Sequence, residues 1–206
     1  MTNTAEAIAP EGGGDPISTT FRVGKAAVLG AGTMGAAIAA HLANAGVQTL
    51  LLDIAPSDVT PDEQAKGLTL DSPKVRNRIV ESLFEAAKKL KPAPFMLAKN
   101  AGLITIGNFA DDMAKLKDCD LVIEAVVENL EIKHKLFADV EKNRKLGSVI
   151  ASNTSGIPID SIAEPFSDDF KKNFLGVHFF NPPRYMKLVE VIRTVITADD
   201  VFEDVK

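Results

Sequence analysis

The stretch from Lys25 to Asp53, KAAVLGAGTMGAAIAAHLANAGVQTLLLD, constrains the fold more than any other part of the chain. The apolar run Ala26–Leu29 leads directly into Gly30-Ala31-Gly32-Thr33-Met34-Gly35. An alanine-rich helical segment then reaches Gly46, and a second apolar run, Val47–Leu52, ends at Asp53. The order predicts strand, glycine turn, helix, strand and acid. Gly30 permits the tight turn, Gly32 lets backbone approach a pyrophosphate, and Gly35 lets the helix pack on the strand. The helix N-terminus offers free N–H groups and partial positive charge to phosphates, with Thr33 and Met34 at the contact. Asp53 lies 23 positions after Gly30, where a carboxylate can accept hydrogen bonds from a ribose. It would repel a 2′-phosphate, and no arginine follows closely, so NAD is expected rather than NADP. A glycine-rich turn in some other α/β protein is the alternative, and the flanking strands and acid weigh against it.

The rest of the chain extends this unit. Ser72–Leu90 reads as a helix with Ser72 as N-cap, Pro73 in the first turn and an apolar stripe at Val75, Ile79 and Leu83. It makes the region of about 56–100 a helical insertion after the second strand, suited to a substrate arm, while 53–70 reads as loop. Further strands are expected at Leu103–Ile106, Asp120–Glu128, Ser148–Ser152, Asn173–Phe180 and Met186–Ile192, and a helix at Asn129–Arg144. Strands alternating with helices predict a Rossmann-type α/β fold, a doubly wound, mostly parallel sheet, with ligands beyond the carboxyl ends of its strands. Residues 1–22, with three consecutive glycines and two prolines, read as a disordered lead-in to a binding domain over 23–198. Residues 199–206 read as the start of a helix, without room to pack, from a C-terminal domain.

Composition narrows the function classes. A net charge of −5 argues against a nucleic-acid partner. No apolar run approaches the 20 or so residues of a membrane span, and the first residues lack the pattern of a secretory signal. The single cysteine, Cys119, allows no intrachain disulfide and suits a reducing, cytoplasmic setting. One cysteine and no histidine pair at ligand spacing give no metal site.

Three histidines are present. His41 and His134 lie in helical segments and read as helix-surface residues. His178 interrupts the apolar strand FLGVHFF, and Glu190 interrupts the returning strand KLVEVI, so each needs a partner and the turn between them can supply it. Beside a nicotinamide such a pair removes a proton from a substrate hydroxyl, the carboxylate orienting the ring. A structural cross-strand pair fits the same residues equally well. Glu124 and Glu128, four apart, are expected on one face of a strand, one of them touching the cofactor. Asn153, Thr154 and Ser155 read as helix caps with room for a second role at the cofactor. Ser82 and Lys89 share a helix face and, with Lys88 and Lys91, form a basic patch that composition alone reads as a solvated surface.

The segments GAGTMG (30–35), DLVIEAVVENLEIKHKLF (120–137), ASNTSGI (151–157) and HFFNPPRYMKLVEVI (178–192) resemble the 3-hydroxyacyl-CoA dehydrogenases. The resemblance implies an L-3-hydroxyacyl-CoA dehydrogenase of fatty-acid β-oxidation, with NAD as cofactor and a 3-hydroxyacyl-CoA as substrate. His178 would be the base, Glu190 its partner and Ser155 a contact to substrate and nicotinamide. Ala125, Glu128, Lys133, Asn153 and Asn181 would line the cofactor, and Ser82 and Lys89 would hold coenzyme A. The long 55–100 segment is similar to bacterial β-oxidation proteins that also carry an enoyl-CoA hydratase. The family's helical domain, which pairs subunits into homo-oligomers, is absent from this sequence. A non-catalytic dinucleotide-binding relative and another NAD-dependent hydroxy-acid dehydrogenase are the alternatives.

Overall fold

The computed structural model describes residues 21–206. The opening unit forms as the sequence predicts. β1 (Lys25–Leu29) and β2 (Gln48–Asp53) run parallel, joined by the crossover helix α1 (Thr33–Asn44). The insertion supplies α2 (Pro61–Ala65), α3 (Pro73–Arg76) and α4 (Arg78–Ala87) before β3 (Ile104–Asn108). Then come α5 (Phe109–Asp112), β4 (Leu121–Glu124), α6 (Leu130–Asn143), β5 (Val149–Ser152), α7 (Ile159–Ala163) and α8 (Asp168–Lys172). β6 (Phe174–Phe179), β7 (Val189–Arg193) and α9 (Asp199–Val205) complete the described residues.

The strands make one seven-stranded sheet of order β3-β2-β1-β4-β5-β6-β7. All neighbours are parallel except β6 and β7. Strand order reverses between β1 and β4, which opens a crevice beside Gly30, the position where doubly wound sheets bind ligands. Period-two alternation sorts the apolar runs onto two faces. Ala27, Leu29, Leu50, Leu52 and Val122 face α6 and a group of rings formed by Phe137, Phe166, Phe170 and Phe174. Val28, Leu51 and Ile123 face Ile38 and Ala39 of α1 and Val80 and Phe84 of α4. With helices on both faces the strands are apolar on both sides.

Several boundaries differ from the sequence reading. The Ser72–Leu90 helix is two helices, broken at Asn77, whose backbone leaves helical geometry. Ser72 occupies the N-cap position, but its hydroxyl accepts from the Thr69 amide instead of capping α3. The insertion packs on the domain through Val80, Phe84 and Ala87, which are buried. Residues 53–70 hold a helix as well. Thr60 and Glu63 form a reciprocal capping box around Pro61, a signal present in the sequence T-P-D-E. The predicted strand 120–128 stops at Glu124, so Glu128 sits on a loop, and the returning strand begins at Val189. α9 does pack: Val201 and Val205 rest against the core, as does Phe21 inside the expected lead-in. The remainder of that lead-in, residues 1–20, lies outside the described residues.

Candidate functional site

Three glycines of the turn divide by purpose. Gly30 has φ +101°, and a Cβ there would lie 2.7 Å from the Ala125 carbonyl oxygen. A Cβ on Gly35 would overlap the Gly30 carbonyl oxygen. Both are demanded by the fold. Gly32 has φ −58° and nothing within 4 Å of a Cβ position, so the protein itself does not need glycine there. The vacant space lies over the N-terminus of α1, which has no side-chain cap and no acid in its first turn. An anion is the natural partner of such a terminus. Asp53 lies at the end of β2, its Oδ2 accepting from the Ala31 amide at 2.6 Å and its Oδ1 from Ile54 at 2.7 Å. The carboxylate therefore fixes the glycine turn and stands beside it.

A cavity of about 420 Å³ continues from this turn. Gly32, Thr33, Met34, Ala125, Glu128, Lys133, Asn153 and Ser155 line it. These residues come from the glycine turn and the start of α1, from the loops after β4 and β5 and from α6, so one crevice gathers most cofactor residues expected from the sequence. The space and its free amides fit a dinucleotide.

The floor of the crevice is an ion cluster that the sequence reading missed. The Lys133 ammonium is 1% exposed, 2.7 Å from Glu124 Oε1 and 3.3 Å from Glu128 Oε2. Glu124 is fully buried. Its Oε1 also accepts from the Val126 amide at 2.7 Å, and its Oε2 from the Ser152 hydroxyl at 2.5 Å. Both carboxylate oxygens thus meet donors, which a buried carboxylate requires. Glu128 Oε1 accepts from the Ser155 amide at 3.0 Å, the Gly156 amide at 2.8 Å and the Thr154 hydroxyl. Burial alone would raise the Glu128 carboxyl, but the Thr154, Gly156 and Ser155 donors and the Lys133 charge together bring it down to about 2. Glu124 and Glu128 do not share a strand face; they meet through Lys133. The one signal was an acid inside the apolar run LVIEAVV.

His178 and Glu190 are register partners across β6 and β7. His178 Nδ1 lies 2.9 Å from Glu190 Oε2. Burial does not force the pair, contrary to the sequence argument: β7 is an edge strand, and the Glu190 side chain is 49% exposed. With Nδ1 donating to the carboxylate, Nε2 keeps its lone pair for a proton. The ring packs on Phe180 with centroids 4.7 Å apart. Asn153 Oδ1 accepts from the Phe179 amide at 2.9 Å, which adds a rung between the ends of β5 and β6 and ties the histidine strand to the crevice.

The remaining expected residues are scattered more widely. Asn181 is exposed at the start of the β6–β7 turn. Ser155 is exposed, and its hydroxyl has no partner among the described residues. Ser82 is exposed on α4, and Lys89, also exposed, lies in the turn just beyond the end of that helix. Lys88 pairs with Glu85 and covers the Phe84 ring at 5.1 Å, so the basic patch is partly neutralised. Leu83, Ala86, Ala87 and Leu90 face Gly32 and Thr33 across a narrow hollow, so α4 does border the crevice. His41 and His134 sit half-buried on α1 and α6. His41 packs on Phe179, and burial lowers its pKa; His134 Nε2 lies 3.0 Å from the Ser161 carbonyl oxygen on α7.

A family model described as 3-hydroxyacyl-CoA dehydrogenase, NAD binding domain, matches residues 25–206. A probable 3-hydroxyacyl-CoA dehydrogenase of Bacillus subtilis is 55% identical over 179 residues, 87% of this chain and 23% of that protein. A putative fatty acid oxidation complex trifunctional enzyme of Rickettsia felis is 41% identical, over 88% of this chain and 23% of that protein. The solved (S)-3-hydroxybutyryl-CoA dehydrogenase of Ralstonia eutropha superposes with a TM-score of 0.64 at 31% identity, over 89% of this chain and 59% of that one. The chain spans about a quarter of the length of these two curated relatives.

Proposed function

The chain belongs to the 3-hydroxyacyl-CoA dehydrogenase family, as its NAD-binding domain, and from that premise we propose that it forms the dinucleotide half of an L-3-hydroxyacyl-CoA dehydrogenase in fatty-acid oxidation. The His178–Glu190 pair carries the reading: a base with a free Nε2 stands on the strand that Asn153 ties to the crevice. Bound NAD supplies a hydride acceptor. The α1 N-terminus and Gly32 hold its phosphates, and Asp53 holds the adenosine ribose. Ala125, Glu128, Lys133, Asn153, Ser155 and Asn181 would hold the rest of the cofactor. His178 Nε2 takes the proton of the substrate 3-hydroxyl as hydride leaves the same carbon, giving the 3-oxoacyl-CoA. Glu190 keeps Nδ1 protonated and compensates the charge the ring acquires. The Ser155 hydroxyl would contact the substrate and the nicotinamide, and Ser82 and Lys89, on and after α4, would hold coenzyme A. A reducing compartment, the cytoplasm, suits a chain whose cysteine is a buried free thiol. On this reading the partner is a helical domain that pairs subunits.

The test is oxidation of 3-hydroxybutyryl-CoA by the protein joined to its helical domain. His178→Ala is expected to lose about a hundred- to ten-thousandfold in kcat, the scale of a positioned base, with NAD affinity within about twofold of wild type. Undiminished turnover in that variant would remove the assignment.

A further inference from the structure

The loop after α4, residues 91–97, contains Pro92 and Pro94 and exposes Met96 and Leu97, yet side chains distant in sequence fasten it from two directions. Arg184, in the turn between β6 and β7, donates from Nη1 to the Ala93 carbonyl at 2.7 Å and to the Phe95 carbonyl at 2.9 Å. The Tyr185 hydroxyl donates to the same Ala93 oxygen at 3.0 Å. From the opposite side Asn44, the last residue of α1, donates to the Pro94 carbonyl at 2.8 Å and accepts from the Met96 amide at 2.8 Å. Phe95 stands edge-on to Phe84 of α4, with 6.3 Å between ring centroids. No sheet or helix takes up the carbonyls of Ala93, Pro94 and Phe95; these three side chains do.

The clamp joins the turn between His178 and Glu190 to the insertion that borders the crevice. The turn holding Arg184 follows His178 and precedes Glu190. The loop it grips follows α4, whose Leu83, Ala86 and Ala87, with Leu90 just beyond the helix, face the glycine turn. We propose that Arg184, assisted by Tyr185, is a positioning residue that locks α4 at a fixed setting relative to the catalytic pair, so that the coenzyme A wall is formed before substrate arrives. The inference rests on the reading of α4 as the coenzyme A support. A guanidinium suits the task because its rigid planar fork is ordered with little entropy loss, whereas a lysine ammonium is a point donor on a flexible stem. Fixing the insertion in the free protein removes an ordering cost from binding.

The test is calorimetric titration of the 206-residue chain with coenzyme A and, separately, with NAD. Arg184→Ala is expected to weaken coenzyme A binding about tenfold, the scale of losing hydrogen bonds from a charged donor, with the NAD dissociation constant within twofold. Arg184→Lys should recover part of the loss. Tyr185→Phe, which removes only a hydroxyl, should weaken coenzyme A binding by about two- to threefold. Unchanged coenzyme A affinity in Arg184→Ala would overturn the clamp and leave the coenzyme A reading standing. Parallel loss of NAD and coenzyme A affinity would overturn a specific positioning role. No coenzyme A binding by the wild-type chain would overturn both the clamp and the reading beneath it.

Discussion

Replacing Lys133 by Met tests the ion cluster beneath the crevice. The methionine stem follows the lysine methylenes, so packing volume changes little while the ammonium disappears. Glu124 then keeps its Ser152 and Val126 donors but loses the cation 2.7 Å away, at a position with no exposure to water. Removing one partner of a buried pair costs about 3–5 kcal/mol, because the other charge remains desolvated. Domains of this size shift in Tm by about 2–4 °C per kcal/mol, so a fall of roughly 6–20 °C is expected. Typical stabilities of about 5–15 kcal/mol leave most of that range measurable by urea unfolding. Glu124→Gln added to Lys133→Met should recover at least half of the loss. The amide accepts from Val126 and donates to the Ser152 oxygen without carrying charge. A Lys133→Met loss below about 1 kcal/mol, the scale of an exposed pair, would refute the reasoning. A double variant no more stable than the single one would do the same.

Other outcomes follow from the crevice. Gly32→Ala should leave Tm within about 2 °C, a surface-scale change, yet weaken NAD binding at least tenfold by calorimetry; Gly35→Ala, which overlaps the Gly30 carbonyl, should lose soluble folded protein. Equal effects at the two positions would contradict the division of the glycines. Asp53→Ala removes the acceptor 2.6 Å from the Ala31 amide and should raise the NAD dissociation constant about ten- to a hundredfold, the worth of charged hydrogen bonds; an unchanged constant would refute both its anchoring and ribose roles. The Glu128 carboxyl sits at about 2 in the folded protein, below its ordinary 4.5. Its stabilising contribution is therefore complete above pH 4.5 and is lost as pH falls toward 2. Thermal melts across that interval should show a shallower acid slope for Glu128→Gln than for wild type.

The sequence by itself determined the βαβ unit. Periodicity, glycine spacing and an acid at a strand end are local rules, and local rules are written in adjacent residues. It also named His178 and Glu190, because a polar residue in an apolar strand is visible without coordinates. It supplied the wrong reason for their pairing, since exposure depends on which strand forms the sheet edge. The capping box of α2 was legible and overlooked, whereas the break at Asn77 depends on how the insertion packs against α1 and the sheet. What only the tertiary structure decided is long-range. Lys133 is an ordinary residue in an amphipathic helix until α6 docks beside β4 and buries its ammonium between two carboxylates. Arg184 and Ala93 stand 91 positions apart, and no periodicity links them. Such contacts form only when sheet order brings the β6–β7 turn and the insertion together, because side-chain partners at that separation are chosen by topology.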